Sequence, residues 1–209
     1  MKKWVGIVSV SALLLAGCTF GDSTEQQLSE VLQQMHTAEE EYRSVQDPLN
    51  EAEQKEYALF EEVLALEQEQ TDELTEKLEE LSALVAERRD LLSTEKQSID
   101  AALEASDFST LDIPEENQSY VTQIDETYDA RYATYEQLYS EYEKLLALQE
   151  NLYTEMARED VAIDQIRDLV QQVNAQNEVV QTQVTAMNEQ TEQFNQTTDE
   201  VFESLQNEE

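Results

Sequence analysis

The sequence predicts an all-α protein, and two observations lead to that prediction. All three glycines lie in the first 21 residues, whereas an average soluble chain of this length would carry roughly a dozen. β-Proteins and doubly wound α/β folds need glycine at their turns and phosphate-binding loops. From Leu28 onward, apolar residues recur at alternating spacings of three and four, which is the helical period. We therefore expect long helices to fill the chain after its first two dozen residues.

The first residues are predicted to direct export and lipidation. Lys2 and Lys3 precede an apolar stretch at residues 4–15, which is shorter than the ~20 residues that a membrane-spanning helix requires. The order Leu15-Ala16-Gly17-Cys18 follows and resembles the lipobox of bacterial lipoproteins. In such a motif the signal peptidase recognises Leu15, Ala16 and Gly17, and the Cys18 sulfur receives a diacylglyceryl group.

This reading divides the chain into three parts. Residues 1–17 are expected to be a cleaved lipoprotein signal peptide, residues 18–22 a lipidated tether, and residues 23–209 a single elongated helical domain. Cys18 is the only cysteine, so no disulfide framework is expected. Two acyl chains on one residue suffice for stable anchoring. The predicted location is the extracellular face of the cytoplasmic membrane, with covalent diacylglycerol and no other cofactor.

One clear loop and one proline interrupt the helical pattern. Residues 106–113 are rich in Ser, Thr and Asp, and we take them as the main loop of the domain. Asp112 and Glu115 beside it are spaced as a capping box for the next helix. Asp47 followed by Pro48 indicates either a new helix or a kink, because proline is favoured at the first helical position and disrupts later ones.

Two architectures fit this pattern. If the helices run uninterrupted, residues 23–106 and 114–206 form a long antiparallel two-helix coiled-coil hairpin. If the chain also turns near Gln70 and near Arg158, it forms an elongated up-and-down bundle of three or four long helices with coiled-coil-like heptads. A third apolar row at residues 128–153 favours the bundle, because so wide a stripe needs more than one neighbouring helix. We prefer the bundle.

Charge and residue usage argue against several functions. The net charge of -36 excludes nucleic acid as a partner, because the phosphate backbone would be repelled. His36 is the only histidine, so a multi-histidine metal site cannot form. Paired carboxylates such as Glu61 and Glu62 fit a solvated helix face better than a glycosidase, which also needs a sugar-sized cleft. We predict no catalytic residue, no metal ligand and no enzymatic activity.

Tyrosine is unusually concentrated in the second half of the chain. Seven of the nine tyrosines are Tyr120, Tyr128, Tyr132, Tyr135, Tyr139, Tyr142 and Tyr153. Tyr128, Tyr135 and Tyr142 occupy heptad positions and are expected in the core. Tyr132 and Tyr139 flank that seam, so we expect them to be partly exposed. They are our candidate binding face, because tyrosine offers sugars and peptides an apolar ring with a polar tip.

Several segments also resemble one protein family. They are the Leu-Ala-Gly-Cys motif, Asp47-Pro48-Leu49, residues 131–139, residues 151–153 and residues 193–198. These segments are similar to YkyA-like proteins, a lipoprotein family of low-GC Gram-positive bacteria to which cell-wall binding is ascribed. The resemblance implies an all-helical extracellular lipoprotein. It carries over no catalytic residue, and no site other than the lipidated Cys18.

Two functional hypotheses follow. The first is a membrane-anchored, non-enzymatic scaffold that binds cell-wall polymer or an envelope protein. The alternative is a coiled-coil adaptor that docks and regulates an envelope protein without binding the wall. Wall polymers are largely anionic, so a surface this acidic is repelled by them, and screening weakens that repulsion without reversing it. Direct wall binding would need the tyrosine face, bridging divalent cations, or the alanyl amines of teichoic acid.

Overall fold

A computed structural model of the chain describes residues 23–66, 70–158 and 160–208. Within these ranges the regular structure is helical and no strand is present. The five α-helices are α1 (Thr24–Ala38), α2 (Glu40–Leu64), α3 (Thr71–Ala105), α4 (Gln118–Met156) and α5 (Ile163–Glu208). The predicted signal peptide, Leu15, Ala16, Gly17 and the lipidation site Cys18 lie outside the described residues, and they remain predictions.

The helices form an up-and-down bundle of four long rods, the first of which consists of α1 and α2. Contacts between successive rods have the staggers of antiparallel hairpins: Lys77 of α3 binds Glu62 of α2 at 2.6 Å, and Gln176 of α5 binds Glu141 of α4 at 2.8 Å. The predicted all-α bundle is confirmed. The alternative hairpin of two uninterrupted helices is wrong, because α2 ends at Leu64 and α4 ends at Met156.

The first rod is interrupted at Glu39 and not at Pro48. α2 continues through Pro48, so no new helix starts there. At Glu39 the carbonyls that end α1 find partners outside the helix, as helix termini require. Arg43 Nη2 donates to the His36 carbonyl at 2.7 Å, and the Ser98 hydroxyl of α3 donates to the last carbonyl of α1 at 2.7 Å. These bonds stabilise a break that no glycine or proline marks.

The connection between α3 and α4 is longer than the sequence indicates. A 3₁₀ turn at Glu115–Asn117 follows Pro114, so α4 begins at Gln118, and no side chain caps that turn. The predicted capping box of Asp112 and Glu115 is therefore not formed. Gln27 of α1 holds the loop instead: its side-chain amide donates to the Asp112 carbonyl at 3.0 Å and accepts from the Asp112 N–H at 2.9 Å.

The start of α1, the last turns of α5 and the α3–α4 connection lie at one end of the bundle. Asn117 donates to the Thr24 hydroxyl at 3.0 Å, and Gln206 near the end of α5 donates to Glu25 at 3.1 Å. The turns after α2 and after α4 lie at the opposite end. Among the described residues, no helix is both long and apolar enough to cross a membrane.

Candidate binding face and buried polar clusters

Tyr132 and Tyr139 lie on one half-exposed face of α4, beside Lys96 and Asp100 of α3. The Lys96 ammonium lies 5.9 Å from the ring centroid of Tyr132 and 5.8 Å from that of Tyr139. The Tyr132 hydroxyl donates to Asp100 Oδ1 at 3.0 Å. We call these four residues, with Glu136, the tyrosine face. Whether it binds a ligand stays a prediction, but the structure brings its two predicted tyrosines together around one cation.

Lys96 holds its charge firmly within this face. Its ammonium lies 2.7 Å from Asp100 Oδ2 and 2.9 Å from Glu136 Oε1. Burial opposes the charge, but these carboxylates outweigh it and raise the pKa of Lys96 above its usual value. Burial and the same two carboxylates raise the pKa of Tyr132 to about 12. Near neutral pH neither group can accept or release a proton, so this face is suited to binding through rings, hydroxyls and carboxylates.

A polar cluster in the core is centred on the buried Arg88 of α3, with the more exposed Glu53 at its edge. Arg88 is 2 % exposed and forms ion pairs with Glu56 and Glu53 of α2. Its Nε and Nη2 also donate to the Tyr142 hydroxyl at 3.0 and 2.8 Å. The central carbon of the guanidinium, Cζ, lies 5.1 Å from the centroid of the Tyr142 ring. Tyr153 donates to Glu56 Oε1 at 2.6 Å. The partners come from α2 and α4, so this cluster holds three helices together.

A second buried acid, Glu95 of α3, has no cation beside it. Glu95 is 4 % exposed, and Gln46 of α2 donates to its carboxylate at 2.6 Å. Burial raises the pKa of Glu95 from 4.5 to about 7, although the Gln46 hydrogen bond acts in the opposite direction. The buried Tyr135 hydroxyl interacts electrostatically with Glu95 but makes no hydrogen bond of normal geometry.

A third buried pair joins three rods near the break in the first one. Arg131 of α4 contacts the Glu39 carboxylate with both terminal nitrogens, at 2.5 and 3.2 Å. Its Nε donates to the Thr191 hydroxyl of α5 at 3.1 Å. Such a two-point pairing matches the planar guanidinium to the planar carboxylate. It fixes Glu39, and therefore the position of the break, against the rest of the bundle.

The buried clusters were only partly visible in the sequence. Arg88, Arg131 and Gln149 lie in heptad rows that are mostly apolar, and a polar residue at such a position indicates a buried polar contact. Their partners on other helices could not be identified from that pattern. His36 lies in the last turn of α1. Within the described ranges, no three His, Cys, Asp or Glu side chains are grouped so as to hold a metal ion.

Comparison with known proteins gives three findings. The sequence model of the YkyA family, described as "putative cell-wall binding lipoprotein", matches residues 23–204. A Bacillus subtilis (strain 168) protein named "Uncharacterized lipoprotein YkyA" is 25% identical over 208 residues, which cover 96% of this chain and 91% of that protein. A 1.6 Å crystal structure of a conserved protein of unknown function from Staphylococcus aureus superimposes with a TM-score of 0.76. It shares 12% sequence identity, covers 85% of this chain and 91% of its own, and shows similarity of fold alone.

Proposed function

The chain belongs to the YkyA family of lipoproteins, and from that premise we propose a function without catalysis. The protein is a helical scaffold anchored to the outer face of the cytoplasmic membrane through diacylglycerol on Cys18, and its bundle binds cell-wall material. The observation that carries this proposal is the family match over residues 23–204, because it spans nearly the whole bundle.

The orientation of the bundle relative to its lipid anchor supports a role as a spacer. Ser23, which caps α1 by accepting from the Gln26 N–H at 3.2 Å, follows Cys18 closely in the sequence. The end of the bundle where α1 starts therefore faces the membrane in the anchored protein. α4 has 39 residues and is ~58 Å long at ~1.5 Å per residue. The turns at the opposite end are thereby held roughly that far out, within the space that wall polymers occupy.

The tyrosine face supplies chemistry that suits a wall polymer. The half-exposed rings of Tyr132 and Tyr139 offer apolar surface, and Asp100 and Glu136 offer acceptors for hydroxyl groups. The Lys96 ammonium between them is the cationic group that an anionic substituent would meet. Because Lys96 stays protonated and Tyr132 ionises only near pH 12, we assign the face a binding role and no proton transfer.

Cosedimentation of the full chain, kept in detergent, with purified wall sacculi tests the proposal. The double variant Tyr132→Ala, Tyr139→Ala should bind roughly tenfold more weakly, since an aromatic contact contributes about 0.5–1.5 kcal/mol. Tyr57→Ala is the matched control, because Tyr57 is 69% exposed on α2 and lies outside the face. Thermal unfolding followed by circular dichroism shows whether each variant is folded. Release of soluble wall fragments by the unchanged protein would contradict the non-catalytic assignment.

A different observation favours the adaptor as a second candidate. At the end of the bundle opposite the start of α1, Leu64 is 62% exposed and Ile163 is 74% exposed. Apolar side chains exposed at this end of the bundle offer surface that a docked protein would cover. Photo-crosslinking from positions 64 and 163 separates the two functions. One crosslinked envelope protein, together with absent wall binding, would favour the adaptor.

A further inference from the structure

The outer side of α5 carries a row of exposed residues, all but one of them uncharged, on an otherwise strongly acidic protein. The row consists of Gln171, Asn174, Glu178, Gln181, Thr185 and Asn188, all of them exposed. Spacings of three and four place these residues on one face of the helix. Residues 171–188 contain Glu178 as their single charged side chain, whereas 29% of the chain is charged. We call this surface the amide row.

The amides of this row are available to a ligand. Within the described part of the chain, the side chains of Gln171, Asn174, Gln181 and Asn188 make no hydrogen bond. Gln176, which lies towards α4, shows the contrast: it donates to the Glu141 carbonyl at 2.9 Å and to its carboxylate at 2.8 Å. A free carboxamide has two N–H donors and an oxygen that accepts twice. The row therefore presents both kinds of hydrogen-bonding group along its whole length.

The packing of α5 leaves the row open. Leu169, Val180 and Met187 are buried on the inner side of α5. The row lies on the opposite side, flanked by Val179, which is 39% exposed. From residue 171 to residue 188 it extends ~25 Å at ~1.5 Å per residue. Successive turns bring a new amide or hydroxyl at a spacing close to the length of one pyranose unit in a glycan chain.

From this arrangement we infer that the amide row is a contact surface for the neutral, N-acetylated glycan of the wall, distinct from the tyrosine face. The inference rests on the proposed wall binding and names the chemical class that is bound. Hydroxyl and acetamido groups need donors and acceptors together, and carboxamides provide both. Elsewhere the carboxylates of this protein repel the anionic groups of the wall. Along the row, a glycan strand meets a single carboxylate, that of Glu178.

The test measures binding of the full chain, kept in detergent, to two kinds of insoluble probe. One is chitin, a neutral N-acetylated glycan, and the other is sacculi, tested intact and after removal of teichoic acid. The variant Gln171→Glu, Gln181→Glu removes donors from the row and adds two charges. The matched control, Gln54→Glu with Gln137→Glu, makes the same change at exposed positions on α2 and α4. All four side chains are exposed, so both variants should fold, and circular dichroism checks this.

The expected result is binding of the unchanged chain to both probes, roughly tenfold weaker for the row variant, since each lost hydrogen bond contributes about 0.5–1.5 kcal/mol. The control should bind within twofold of the unchanged chain. Equal binding by both variants would overturn the inference and leave the proposed function standing. Binding only to sacculi that retain teichoic acid would also overturn the inference and leave the proposed function standing. No binding to any wall preparation would overturn the proposed function and the inference together.

Discussion

Two polar layers lie one heptad apart in the core of the bundle, and they differ in the ionisable group at their centre, an arginine in one and a glutamate in the other. Each layer takes one residue from each of α2, α3 and α4: Glu53, Arg88 and Tyr142 in the first, and Gln46, Glu95 and Tyr135 in the second. In the first layer a buried cation is surrounded by acceptors. In the second a buried acid receives one hydrogen bond from a neutral amide.

The difference shows how an acidic chain handles charge in its interior. Carboxylates are plentiful in this sequence, so a buried arginine finds two of them and remains charged. Cations are scarce, so Glu95 has none, and burial raises its pKa to about 7. A buried charge must be paired or neutralised. The arginine layer achieves this by pairing, and the glutamate layer by taking up a proton.

Removing the cation of the arginine layer should have the largest effect. Arg88→Met would leave Glu56, which is 3% exposed, as an unpaired buried carboxyl group. Breaking one side of a buried pair typically lowers the free energy of unfolding by about 3–5 kcal/mol. Urea unfolding followed by circular dichroism measures this loss.

The neighbouring Arg89 provides the control for that variant. Its ion pairs with Glu143 and Glu150 lie at the surface, so Arg89→Met should change the unfolding free energy by less than about 1 kcal/mol. Equal losses for the two variants would mean that the buried layer contributes no more than a surface pair, and would contradict the comparison.

Removing the acid of the glutamate layer should raise the free energy of unfolding, by an amount that depends on pH. Folded Glu95 keeps its proton up to about pH 7, whereas the unfolded residue loses it near pH 4.5. Its contribution to stability is therefore full below pH 4.5 and is lost as the pH rises to about 7. Glu95→Gln keeps a neutral acceptor for Gln46. It should raise the unfolding free energy by up to about 3 kcal/mol at pH 8 and by less than about 1 kcal/mol at pH 5.

Unfolding at both pH values, with Glu87→Gln as the exposed control on α3, separates this effect from the general relief of negative charge. The control removes one negative charge, as Glu95→Gln does. A Glu95→Gln variant that is destabilised at pH 8 would show that the carboxylate form is paired in the folded protein.

Replacing the tyrosine of each layer with phenylalanine should give the smallest difference in unfolding free energy between the two layers. Tyr142 accepts from Arg88 and donates to Glu53 Oε1 at 2.5 Å, so Tyr142→Phe should lower the unfolding free energy by about 2 kcal/mol. The Tyr135 hydroxyl is buried without a hydrogen bond of normal geometry. Tyr135→Phe should therefore be neutral within about 0.5 kcal/mol, or slightly stabilising. Equal losses in thermal unfolding would mean that Tyr135 also has a partner.

The heptad pattern predicted the fold and the core tyrosines but not the break in the first rod. Tyr128, Tyr135 and Tyr142 are each at most 5% exposed, which confirms their predicted place in the core. Pro48, the residue that marks a helix boundary in the sequence, lies inside α2 because packing on either side maintains the helix. The break lies at Glu39, where it depends on bonds from distant helices that no local pattern indicates.

The sequence identified the polar layers less completely than the candidate binding face. It placed Tyr132 and Tyr139 beside the seam, and both are half-exposed there. It gave no sign that Lys96 of α3 lies over both rings, because the stagger between α3 and α4 depends on the turn between them. Glu95 follows Arg88 by one heptad, but its lack of a cation becomes visible only when all neighbouring helices are in place.

The salt dependence of wall binding tests the central claim most directly, which is that this acidic bundle binds the wall through largely uncharged contacts. The full chain in detergent would be sedimented with purified sacculi at increasing sodium chloride, with and without calcium. We expect binding that persists or strengthens as salt or calcium screens the repulsion between like charges. Binding that falls steeply with salt would indicate electrostatic attraction and contradict the claim. The absence of binding under every condition would contradict wall attachment itself.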